Sequence, residues 1–308
     1  MSESKLVRVP EGLAGERIDA ALSRMLGLSR SRIAELVDAG HVRLNDKPVK
    51  ASGRVSADDW VEVYFPPERN PLEVLPEFIA DLAVLYDDSE VVVLDKPAGV
   101  AVHPSAGYVG PTVVGGLLAL GYRITTHGAA ERQGIVQRLD VGTSGVMVVA
   151  KSERAYSHLK DQFRARTVSK VYHAMVHGRL DPMQGTIDAP IGRHPNHDWK
   201  FAVMAGGRDS VTHYETIEAM AHASLLEVHL ETGRTHQIRV HLSALRHPCL
   251  GDEMYGADPT LARKLGLTRQ WLHAVRLEFE HPASGERMAF ESEYSADLQH
   301  ALDVAREL

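Results

Sequence analysis

QRLDVGTSGVMVVAK, residues 137–151, is the stretch on which the reading of this chain turns. Its second half is an unbroken apolar run, the pattern of a strand buried on both faces, and the segment behind it, SERAYSHLKDQF, has helical spacing. One strand followed by one helix would fit an alternating parallel fold. The surroundings argue otherwise. LAVLYDD and EVVVLDKP read as paired strands, TVVGGLLAL as a helix, and VSKVYHAMVHG, SVTHYETIEAM, ASLLEVHLET, LHAVRLEFEHP and RMAFESE as further strands. THQIRVHLSAL is expected to be a short helix capped by Thr235. Strand runs that neighbour one another in sequence favour a mixed, largely antiparallel sheet with helices packed around it, an α+β fold.

The first half of the stretch carries the chemistry. Asp140 stands between Arg138 and a glycine-flanked Thr-Ser turn, and on an extended segment residues 138 and 140 point the same way. An aspartate can attack carbon directly when it is held ionised in a partly dry cleft. Competing chemistries fit less well. His236 and His241 are five apart, hence about 140° around a helix and not on one face, so no metal site is expected. DVGTSG lacks the lysine and the spacing of a phosphate-binding loop and precedes its strand. Ser144 has no elbow motif, and Cys249 in HPCLGD has no activating neighbours. A hydrolase pairing Asp140 with Asp252 or Glu231 is a further option.

The 308 residues, 44% hydrophobic and 24% charged, suffice for a large domain plus a small one. A single cysteine excludes an internal disulfide framework. No apolar run approaches the roughly 18 residues of a membrane span, and MSESKLVRVPEG has no signal core, so a cytoplasmic protein without membrane contact is expected. The formal charge of −7 speaks against a uniformly basic surface but leaves room for local basic patches.

One such patch lies near the start. Between Glu16 and Arg54 eight Lys and Arg face five Asp and Glu. Ile18, Ala21, Leu22 and Met25 fall at helical spacing, and Ser29 or Ser31 caps a second helix carrying Ile33, Leu36 and Val37, stopped at Gly40. HVRLNDKPVK reads as strand, tight turn at Asn45-Asp46, strand, and DWVEVYF as another strand. This unit resembles the S4-like RNA-binding domain, which would put Arg30, Arg32 and Lys47 on RNA. Pro66, Pro67, Pro71 and Pro76 forbid helix beyond it. The expected organisation is residues 1–65 as the S4-like domain, 66–78 as a proline-rich linker, and 79–308 as the catalytic domain.

Four ordered motifs, DKPAGVAVHP (95–104), QRLDVGTSGVMVVAK (137–151), SKVYHAMVHG (169–178) and ETGRTHQIRVHLSALRHPCLGDEMYG (231–256), resemble those of the RluA-type pseudouridine synthases. With the S4-like unit the resemblance spans nearly the whole chain. It implies an isomerase that detaches uracil from ribose in RNA, turns it over and rejoins it through carbon 5, without metal or cofactor. Asp140 matches the family's essential aspartate, which acts as nucleophile or as the base taking a ribose proton. Arg239 matches the arginine that pairs with it, and Tyr172 the tyrosine that packs on the base and whose hydroxyl is placed to take the carbon 5 proton. Arg138 matches the arginine that fills the gap left by the flipped base. Thr143, Lys96, Lys151, Lys170 and Arg234 are expected to contact substrate or RNA, with Lys160, Arg164 and Arg166 adding to the patch. One departure stands out: Gln137 occupies the usual histidine position and cannot carry charge, which leaves a catalytically silent RNA-binding ribosome assembly factor as the alternative reading. The S4-like unit in this setting points to large-subunit ribosomal RNA as partner and to a monomeric enzyme.

Overall fold

The computed structural model describes residues 3–65, 74–105, 108–128 and 132–308. Two compact units, Met1–Asn70 and Pro71–Leu308, divide the chain. Of the proline-rich stretch, residues 66–73 lie outside the described residues, and 74–78 are irregular.

In the first unit, α1 (Ile18–Leu26) and α2 (Arg30–Asp38) pack on a sheet of β1 (Glu3–Arg8), β2 (Val42–Leu44), β3 (Lys47–Pro48) and β4 (Trp60–Phe65), in the order β1-β4-β2-β3. Ser29 caps α2, its hydroxyl accepting from the Arg32 N–H. Asn45 and Asp46 both take positive φ, the twist a two-residue hairpin needs. Ile18, Leu22, Ile33, Leu36, Val61 and Val63 close the core between helices and sheet. β1 was not anticipated: ESKLVR is half polar, and as an edge strand it is held by pairing with β4 more than by burial.

The second unit is built on one large sheet. Its strands are β5 (Ala83–Asp87), β6 (Val91–Lys96), β7 (Ser144–Ala150), β8 (Ser169–His177), β9 (Gln184–Asp188), β12 (Val211–Ala219), β13 (Ala223–Leu230), β14 (Leu272–Glu280) and β15 (Arg287–Glu291). They run in the order β5-β6-β7-β14-β8-β13-β12-β9, with β15 beside the second half of β14. Every pairing is antiparallel except β7 with β14, so the sheet is mixed and largely antiparallel. A separate hairpin joins β10 (Ile191–His194) to β11 (His197–Val203).

β7 is buried along its whole length because both sheet faces are covered. Alternation sends Val146 and Val148 toward α4 (Glu153–Ala165), with Ala155 and Leu159. Met147 and Val149 point the other way, into a core shared with α3 (Val113–Ala119) and α5 (Gln237–Ala244) through Val113, Leu117, Ile238 and Leu242. The same alternation puts Tyr172 and Ala174 of β8 on the α5 side. α6 (Pro259–Lys264) and α7 (Ala296–Glu307) close a third cluster around Trp271. Cys249 is fully buried and burial pushes its thiol pKa up, which leaves it inert. Among the described residues no helix is long and apolar enough to cross a membrane.

Candidate active site

Asp140 opens a tight turn that is anchored at each of its four residues. The Thr143 N–H donates to the Asp140 carbonyl at 3.0 Å, the Gly99 N–H to the Val141 carbonyl at 2.8 Å, and Arg269 Nη1 to the Gly142 carbonyl at 2.9 Å. Gln270 Nε2 donates to Thr143 Oγ1 at 3.2 Å. The two glycines answer why the turn has this composition. A Cβ at Gly142 would lie 2.4 Å from Gln270 Oε1, and one at Gly145 would lie 2.2 Å from the Ala274 carbonyl, where β7 meets β14 in parallel register. Gly145 also holds φ +114°, which L side chains rarely adopt. The sequence thus presses the turn against β14 and aims Asp140 outward.

Across from it, α5 presents Arg239. The helix start is fixed by Gln237, which is buried; its side-chain carbonyl accepts from the Arg234 N–H and its amide donates to the Val211 carbonyl and Thr212 Oγ1. The expected cap, Thr235, does not cap α5. His236 does, with left-handed backbone and no side-chain cap bond, while Thr235 Oγ1 accepts from Arg138 Nη2 at 3.0 Å.

Arg239 is 6% exposed and spends its guanidinium on two carboxylates. Nη1 donates to Asp140 Oδ2 at 3.0 Å; Nε and Nη2 donate to Asp252 Oδ2 and Oδ1 at 2.6 and 3.0 Å. Its charged carbon lies 4.9 Å from the Tyr255 ring centroid. Burial acts against the charge, but the hydrogen bonds and charges of Asp252 and Asp140 prevail and raise the pKa above the ordinary arginine value. Two charge-assisted bonds fix the fork on Asp252 and leave Nη1 directed at Asp140. With its carboxylate fully engaged and 3% exposed, Asp252 is withdrawn from the role of a hydrolase's second acid. Glu231, the other candidate, is held by Arg166 and His213.

Asp140, Arg239, Arg166 and Glu231 border a cleft of about 1020 Å³. Tyr172 lines it from β8; burial first, and then the charge of Asp140, push its phenol above the ordinary range, so it is a neutral donor. Its ring is 8% exposed. His236 also lines the cleft, with its pKa lowered chiefly by burial. Among the described residues the lining carries eight Arg and Lys against two carboxylates, Asp140 and Glu231, in a chain of net charge −7. Arg138, exposed, Lys170, half-buried, and Arg234 lie in this lining, as do Lys160, Arg164 and Arg166. Gln137 lines it too, its Nε2 buried without a hydrogen-bond partner among the described residues.

Two expected RNA contacts, Lys96 and Lys151, need correction. Lys96 is fully buried: its ammonium donates to the carbonyls of Pro97 and Val100 at 2.8 Å each and of Val141 at 3.4 Å, and burial pushes its pKa down to about 7. It staples the Asp140 turn from beneath. Thr143, 2% exposed, lines the cleft, its hydroxyl accepting from Gln270 Nε2. Lys151 is not in the lining; it is bound by the Asp87 carboxylate and the Asp88 carbonyl at the β5–β6 turn. In the first unit Arg30 pairs with Asp19 and Arg32 with Glu35, both partly exposed, and Lys47 is exposed after the Asn45-Asp46 turn. Sequence reasoning missed Asp252 as Arg239's partner and Tyr255 beneath it. The GDEMYG segment was inside the fourth motif, but nothing in its spacing shows which way its carboxylate faces.

Comparison with known proteins gives the family. The model of the RNA pseudouridylate synthase family matches residues 90–244, and that of the S4 domain residues 16–61. The chain belongs to the RNA pseudouridine synthase family. It is 60% identical to an uncharacterized RNA pseudouridine synthase of Mycobacterium bovis over 97% of each chain. It is 41% identical to ribosomal large subunit pseudouridine synthase D of Neisseria meningitidis, covering 97% of this chain and 81% of that one. Among solved structures, the human RNA pseudouridylate synthase domain containing 4 matches with a TM-score of 0.58 and 27% identity, over 73% of this chain and 93% of that one. The family's members isomerise uridine in RNA, and the cleft with its basic lining belongs to such an enzyme. Among the described residues no group of three His, Cys, Asp or Glu is placed to hold a metal ion.

Proposed function

We propose that this enzyme makes pseudouridine in large-subunit ribosomal RNA and that Asp140 is its essential residue. The observation that carries the reading is the Asp140–Arg239 pair at 3.0 Å in a basic cleft, with Tyr172 in the same lining. Relatives named for the ribosomal large subunit support the choice of RNA.

Cationic side chains along the cleft take the RNA backbone, so binding weakens with salt. A base cannot be processed inside a stack, and the target uridine flips out at a cost of a few kcal/mol. Arg138, exposed at the rim, fills the vacated space, its planar guanidinium stacking while it bonds phosphate. The flipped uracil lies on the Tyr172 ring. Asp140 acts on the ribose–base unit either by attack on carbon or by taking a ribose proton. In both routes Arg239 keeps the carboxylate charged and aimed. Gln137, in the usual histidine position, makes no hydrogen bond to this pair through its Nε2, and activity survives the change.

Arg30, Arg32 and Lys47 of the S4 unit add RNA contacts. The enzyme works as a monomer in the cytoplasm, a placement in keeping with a ribosomal RNA substrate and a lone buried thiol. Site-resolved pseudouridine mapping of total RNA with and without the gene tests the assignment. Loss of one or more sites in large-subunit RNA is expected; loss confined to another RNA class would overturn the target.

A further inference from the structure

The β10–β11 hairpin is rooted on the helix that carries Arg239. At its base Ile191 packs with Val240 of α5 and with Tyr255, and the Phe201 N–H donates to the Tyr255 hydroxyl at 3.2 Å. The Phe201 ring meets the His236 ring edge-on at 5.8 Å, and His236 lines the cleft. Beyond Phe201 the register shifts from the Arg193–Phe201 pair to the His194–His197 pair, so the strand bulges at the segment that carries Trp199.

Three rings neighbour one another there. Trp199 is 65% exposed, its ring 5.0 Å from His197, which is in turn 5.0 Å from His194. A single exposed tryptophan is unremarkable. Three neighbouring rings, tilted against one another, on a hairpin whose Phe201 touches the cleft-lining His236, are not. The segment RHPNHDWK (193–200) holds no Leu, Ile, Val or Met, and besides Asp198 it carries Arg193 and Lys200, which lie over the Phe201 and Tyr255 rings. Aromatic faces interleaved with cations are the chemistry that holds unpaired nucleobases.

Building on the isomerase reading, we infer that the hairpin is a second nucleobase site, where Trp199, backed by His197, stacks an unpaired base of the substrate RNA outside the cleft. The enzyme then grips two unstacked bases, the target on Tyr172 and a flanking one on Trp199, and so selects RNA that is single-stranded on both.

The chain has three tryptophans, and Trp271 is buried, so in a Trp60→Phe background RNA-dependent emission changes report Trp199. The probes are a single-stranded oligouridylate of about 12 residues and a duplex RNA of the same length. Quenching by the single strand and not by the duplex is expected. Trp199→Ala should weaken oligouridylate binding by about 5- to 100-fold and Trp199→Phe by much less. The inference is overturned if Trp199→Ala binds the single strand within twofold of its parent, if duplex quenches equally, or if Phe is no better than Ala. Conversion of uridine in transcribed ribosomal RNA is scored in parallel. Normal conversion with an indifferent Trp199 removes the hairpin site alone, whereas no conversion by the parent protein removes the reading on which it rests.

Discussion

Replacing Asp252 with Asn probes how the Asp140 carboxylate is held. Arg239 is buried, with side-chain exposure of 7%, and two of its three bonds to carboxylates go to Asp252, whose side chain is 2% exposed. Asparagine keeps one acceptor and turns an NH2 donor toward the guanidinium. One charge-assisted bond is lost, at ~1.5–3 kcal/mol, and a second weakens against a neutral partner. Removing one partner of a buried pair costs about 3–5 kcal/mol; because Asp140 still neutralises Arg239, a loss near ~3 kcal/mol of folding stability is expected. The catalytic effect follows from geometry. Freed from Asp252, the guanidinium recentres on Asp140 and drags its carboxylate, and a displacement of ~1 Å can cost about 100-fold in rate. Tritium release from RNA labelled at carbon 5 of uridine gives kcat and KM, and urea melts give stability. The variant should show kcat down ~10- to 100-fold with KM within about twofold, since Asp252 touches no RNA. A variant that is less stable but turns over at the wild-type rate would refute the claim that Asp252 positions Arg239.

Other expectations are more local. Gly145→Ala places a Cβ 2.2 Å from the Ala274 carbonyl at φ +114° and should destabilise the second unit by more than ~3 kcal/mol, read as a fall in melting temperature. His273, 1% exposed with Nδ1 2.8 Å from Ser144 Oγ, has its pKa pushed down to about 4, chiefly by burial. Its folded pKa lies below the unfolded value of 6.5, so the unfolded chain binds the extra proton first and stability falls as pH drops from about 6.5 toward about 4. His273→Gln should flatten that part of a urea-stability profile against pH. Exposed Lys160 lines the cleft, and Lys160→Ala should weaken RNA binding without changing site choice, lowering the slope of log affinity against log salt by about 1.

What could be read from residues alone, and what could not, separates along physical lines. The burial of β7 on both faces was visible in GVMVVA because an unbroken apolar run has few other homes. The α+β class followed from strand runs that adjoin in sequence. The Asp140–Arg239 partnership came from the motifs, whereas the 99 residues between them hide it from any local pattern. Lys96 was misjudged because composition does not say whether a lysine faces solvent or reaches under a turn; only the carbonyls of Pro97, Val100 and Val141 reveal that. Asp252 stood only as one option for a hydrolase's second carboxylate, because the sequence does not show that it faces Arg239. The β10–β11 hairpin escaped notice because HPNHDWK is polar and its register rests on packing against α5 and Tyr255. Thr235 looked like a cap, yet His236 takes the left-handed conformation and Thr235 turns to Arg138.

The most direct test of the account is the single-turnover rate of Asp140→Asn on transcribed large-subunit ribosomal RNA, with RNA occupancy matched by a binding assay. Binding within a few-fold of wild type and no detectable pseudouridine is the predicted result. Conversion at the wild-type rate would contradict the account, because the carboxylate that Arg239 holds would then have no part in the reaction.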